Sequence, residues 1–70
     1  MMIVSKEFIV RLKLNPSPAY KISQLAGVNP TELSKLINGI EKPKPFDLRI
    51  IKVGEVLGIP AEDCFEEESY

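Results

Sequence analysis

Proline and glycine set the length of the regular elements this chain can form. Six prolines and four glycines fall within 70 residues. A proline ring removes a backbone donor and clashes with the preceding turn of a helix, and it pushes the residue before it to extended backbone. The punctuation therefore cuts the sequence beyond Asn15 into short pieces. These are segments of one domain, because 70 residues is a single-domain length and no repeat or low-complexity block interrupts it. The expected layout is one domain over residues 1–66 and an acidic tail over 67–70.

Between the breaks the apolar residues recur at helical spacing. Phe8, Ile9 and Leu12 follow Ser5, with Glu7 in the first turn, which predicts a helix from Lys6 to Lys13. "FIVRLKL" also alternates as a strand would. After "NPSP", Ser17 is an expected cap and Pro18 an expected first position for the helix AYKISQLA, which ends at Gly27. "NPTELSKLIN" carries three start signals. Asn29 is a preferred N-cap, Pro30 suits the first helical position, and Glu32 is spaced to reach back in a capping box. Leu33, Leu36 and Ile37 form its inward stripe, and Gly39 ends it.

"IEKPKP" cannot be helical. Asp47 to Val56 is the next expected helix, with Ile50, Val53, Gly54 and Leu57 on one stripe and Gly58 at its end. A glycine on a buried stripe predicts the close approach of a neighbouring helix, since Gly is unfavourable there by about 1 kcal/mol against Ala. Pro60 opens a last short helix, AEDCFEE, whose Cys64 and Phe65 close the core. The fold class read from this pattern is all-α with five helices. Leu25, Val28, Leu33, Leu36, Ile50, Val53, Leu57 and Phe65 are its expected buried residues.

Composition removes several function classes. One cysteine allows no intramolecular disulfide, and without histidine there is no zinc cluster. No apolar run approaches the roughly 20 residues of a membrane span, and MMIVSKE is too short in apolar residues for a signal peptide. A soluble cytoplasmic protein is expected. Nothing supports catalysis, and no cofactor or small-molecule ligand is indicated. Cys64 reads as a core residue rather than a nucleophile.

Charge is segregated. Residues 1–60 hold nine basic and five acidic side chains, a balance of +4, whereas residues 61–70 hold five acids and no base, a balance of -5. A mildly basic body points to a polyanion partner, and the acidic end to an interaction or solubilising tail.

The link Gly27-Val28-Asn29 joins two short helices, which is the signature of a helix-turn-helix, with Val28 as the inward plug. The stretches "KISQLAGVNPTELSKLING" and "LRIIKVGEVLGIPAEDCF" resemble the Cro/repressor-type helix-turn-helix family of phage and bacterial transcription regulators. Ser23 stands at the family's small-residue position, Gly27 at its turn, Leu33 and Leu36 at buried positions, and Asn38-Gly39 at its end. The resemblance covers about residues 18–66. It implies a compact lambda-repressor-like domain that enters the major groove of DNA with the helix over residues 30–38 and acts as a homodimeric repressor. Pro30 replaces a polar side chain common in the family, and the stretch from Gly39 to Pro45 is longer than usual.

The resemblance places Thr31 and Lys35 at base-reading positions. They are spaced i, i+4 and so share a helix face. Lys35 suits guanine O6 and N7 or a phosphate, and Thr31 a thymine methyl or a base edge. Ala19, Tyr20 and Lys21, at the start of the motif's first helix, are expected at the DNA backbone, where free N–H groups can bond a phosphate. Asn29, Pro30, Glu32, Ser34 and Asn38 are secondary candidates. Glu32 reads first as a cap of its own helix, with acceptance from cytosine N4 as its alternative. Ser34 and Asn38 suit phosphate bonding, with simple exposure as theirs. Lys42 and Lys44 lie on a proline-stiffened loop and are expected at phosphates. Two rival functions remain, an antitoxin-like subunit and a helical protein–protein module that keeps the fold without binding DNA.

Overall fold

A computed structural model describes residues 2–68. The order is strand β1 (Met2–Val4), helices α1 (Lys6–Leu14), α2 (Ala19–Ala26), α3 (Pro30–Ile37) and α4 (Leu48–Leu57), a 3-10 turn (Ala61–Asp63) and strand β2 (Phe65–Glu67). β1 and β2 form an antiparallel pair with Val4 opposite Phe65, Ile3 opposite Glu66 and Met2 opposite Glu67.

This corrects the five-helix, all-α expectation. The segment read as a fifth helix makes one 3-10 turn and then extends as β2. Its acidic first turn mimics a helix start, but partners at the other end of the chain decide its backbone. Ser5 N–H donates to the Cys64 carbonyl at 2.9 Å, and Ser5 Oγ donates to the Asp63 carbonyl at 2.6 Å. The same Oγ accepts from Phe8 N–H at 3.1 Å, so one buried hydroxyl both caps α1 and holds the C-terminal turn. The strand alternative for "FIVRLKL" does not form, since those residues lie in α1.

Phe8, Ile22, Leu33, Ile50, Val53 and Cys64 are the most deeply buried of the core side chains, joined by Val28, Leu36 and Phe65. Two expected core residues differ. Leu25 is 69% exposed, on the outer face of α2, and Leu57 is only half-buried. Gly54 also has a different neighbour from the helix expected. A Cβ there would strike Cys64 Sγ and lie 3.3 Å from the Ile59 carbonyl oxygen. The side chain of Cys64 fills the space that a residue larger than glycine would need.

Candidate nucleic-acid interface

Three residues, Gly27 to Asn29, separate α2 from α3. Gly27 takes the left-handed conformation, φ 73°, that an L side chain resists. Val28 is buried behind it, and its N–H donates to the Ser23 carbonyl at 2.8 Å. The chain then restarts at Asn29, whose Oδ1 accepts from Thr31 N–H at 2.8 Å and from Glu32 N–H at 3.4 Å. Leu33 and Leu36 anchor α3 to the core while Thr31, Glu32, Ser34, Lys35 and Asn38 remain exposed.

The exposed residues divide by surroundings. Thr31 and Lys35 are one helical turn apart, and Lys35 has no ion-pair partner among the described residues. Ser34 and Asn38 bond each other, Asn38 Nδ2 donating to Ser34 Oγ at 3.1 Å. With Pro30, Ala19 and Tyr20 they line a largely apolar groove of about 400 Å³ between α3 and the link from α1 to α2. Ser17 does not cap α2. Its N–H donates to Asn15 Oδ1 at 2.9 Å, and Pro18 is the N-cap residue, without a side-chain cap. The first N–H groups of α2, at Ala19 and Tyr20, therefore stay available to an acceptor from outside. Lys21 is exposed on the same helix.

The loop after α3 is fastened by a feature the sequence reading missed. Asp47 is buried, and its Oδ1 accepts from Arg49 N–H at 3.1 Å and Arg49 Nε at 3.0 Å. Its Oδ2 accepts from Arg49 Nη2 at 2.7 Å and Lys44 N–H at 3.2 Å. Hydrogen bonds from Arg49 hold the Asp47 carboxyl down to about 2, against the opposing effect of burial. Arg49 also meets Glu41 at 2.9 Å and Glu32 at 3.8 Å. Glu32 thus turns toward Arg49 and does not close a capping box. The Asp47-x-Arg49 spacing at a helix start was the one readable signal, since an N-cap carboxylate and an arginine two residues on can form a bidentate pair.

Lys42 and Lys44 are both exposed on this loop, but in different states. Lys44 has no ion-pair partner among the described residues, whereas Lys42 Nζ lies 3.2 Å from Glu68 Oε2. Glu67 belongs to β2 and Glu68 follows it, while Ser69 and Tyr70 of the expected tail lie outside the described residues. Cys64 is fully buried, and burial pushes its thiol pKa up, away from thiolate chemistry.

Compared with family models, curated proteins and solved structures, the chain matches none of them. Among the described residues no helix is long and apolar enough to cross a membrane.

Proposed function

We propose that this chain is a sequence-specific DNA-binding transcription regulator, acting as a homodimeric repressor, with α3 as its reading helix. The observation that carries the reading is the outward face of α3. It presents Thr31 and Lys35, the latter without an ion-pair partner among the described residues, on a helix held by a tight turn to α2 and by a buttressed loop. A helix of this kind, about 10–12 Å across with side chains, fits a major groove about 12 Å wide. Lys35 donates to a purine edge and Thr31 meets a methyl or a base acceptor. The uncapped start of α2 and Lys44 supply phosphate contacts, which fix register and carry most of the salt dependence. A single small module buries little surface, so two copies on two half-sites provide useful specificity.

A second reading, a helical protein-interaction module, draws on the apolar groove beside α3 and on the carboxylates around Arg49, which do not favour a polyanion. The two readings separate in one experiment. The protein is taken through a selection from random duplexes, and the selected and a scrambled duplex are titrated between about 50 and 200 mM salt. Preference for the selected duplex with a steep salt slope supports DNA reading. No binding to either duplex at about 50 mM salt, where phosphate contacts are strongest, rejects it.

A further inference from the structure

We infer that Glu68 is an intramolecular competitor for the DNA backbone, its carboxylate occupying Lys42 so that a duplex gains this lysine only by displacing it. The inference rests on the DNA-binding reading above and adds a device that sets its affinity.

The placement of Glu68 is built into the fold. β2 is registered against β1 through Phe65, Glu66 and Glu67. The next residue is therefore presented to Lys42 at high effective concentration. Glu66 adds a second tether, its Oε2 accepting from Lys6 N–H at 3.4 Å. Lys42 and Glu68 both line a recess of about 170 Å³ with Ile3, Ile37 and Pro43, beside the end of α3. The carboxylate thus occupies the cation that, on the DNA reading, this loop would offer to a phosphate.

The contact is also weak enough to be exchanged. The side chains of Lys42 and Glu68 keep 43% and 29% exposure, and a water-accessible ion pair of this kind is easily replaced. A phosphate offers Lys42 the same charge and the same acceptor chemistry, so the two compete for one cation. The competition differs from general repulsion by the acidic end, because it acts at one lysine and leaves Lys35 and Lys44 untouched.

The test measures duplex affinity and salt slope for the full chain and the variants Glu68→Gln, Glu62→Gln and Lys42→Ala, and for the Lys42→Ala/Glu68→Gln pair. Glu62 is exposed on the 3-10 turn, and its replacement changes net charge equally. Glu68→Gln should tighten binding about two- to five-fold at about 50 mM salt. It should also steepen the salt slope by about one phosphate contact. Glu62→Gln should give a smaller gain with an unchanged slope, and the Glu68→Gln gain should vanish when Lys42 is alanine. Equal gains from both glutamine variants, or a gain that survives the loss of Lys42, would overturn the inference and leave only bulk charge. If no variant binds any duplex, the DNA reading falls and the competitor role falls with it.

Discussion

Arg49 Nη2 and Glu41 Oε2 lie 2.9 Å apart, which ties the loop after α3 to the first turn of α4. Because the same guanidinium holds buried Asp47, Arg49→Gln should leave a carboxylate short of its donors and lower stability at neutral pH by roughly 1–3 kcal/mol. The acid limb gives a sharper check. The pKa of Asp47 in the fold, about 2, lies below its ordinary 3.8. Its contribution is therefore complete above about pH 4 and is lost as pH falls toward 2, a change of about 2 kcal/mol. Denaturant titrations from pH 5 to 2 should show a shallower acid loss in Arg49→Gln than in the unaltered chain. Parallel curves would mean that Arg49 does not set the Asp47 ionisation.

Replacing Gly54 by Ala puts a methyl against Cys64 Sγ and the Ile59 carbonyl. Helix propensity favours the change by about 1 kcal/mol, yet overpacking of a rigid core opposes it by about 1–3 kcal/mol. Since Cys64 is fully buried and Ile59 O is backbone, the clash should win. Cys64→Ala removes the sulfur, so the double variant should be more stable than the sum of the two single losses allows. Additive losses in chemical denaturation would contradict this account.

Ser5→Ala removes an N-cap and an O–H donor to the Asp63 carbonyl in one step. The expected loss is about 1–2 kcal/mol. Protection of the β1 and β2 amides against hydrogen exchange should fall before that of α4. Uniform loss of protection would show that the strand pair does not depend on this hydroxyl.

Three lysines near α3 should separate by role if the DNA reading holds. Lys35→Ala should weaken binding to the preferred site by about 1–3 kcal/mol and relax choice at one base pair. Lys44→Ala should weaken binding to every sequence and lower the salt slope by about one unit. Lys42→Ala should do less than Lys44→Ala in the native background, because Glu68 already occupies Lys42. All three side chains are exposed, so melting temperatures should barely move. Equal sequence-independent losses from Lys35 and Lys44 would demote Lys35 to a phosphate contact.

The elements legible in the sequence were those whose signals are local. Asn29, Pro30 and Gly27 announce the turn and α3 within a few residues, and Gly58 marks the end of α4 at φ 77°. Three-residue strands carry no periodicity, and β1 and β2 exist only through each other. AEDCFEE accordingly looked helical. Leu25 fitted the spacing of its helix, but spacing does not fix how wide a buried stripe is. The Arg49 cluster joins positions 32, 41, 47 and 49, and side chains meeting across a loop leave no trace in spacing beyond Asp47 and Arg49. The exposure of each candidate contact on α3 followed from amphipathic spacing. The pairing of Lys42 did not, because it depends on where β2 ends.

The strand pair also imposes an order in time. Helices and the short α2–α3 link form from neighbours in sequence, whereas joining Ser5 to Asp63 closes a separation of 58 residues. Loop closure of that length is entropically late. Glu68 reaches Lys42 only through that closure, so when the two strands part the pairing is lost with them. If the DNA reading holds, a molecule opened in this way would offer a duplex one more cation than the closed one.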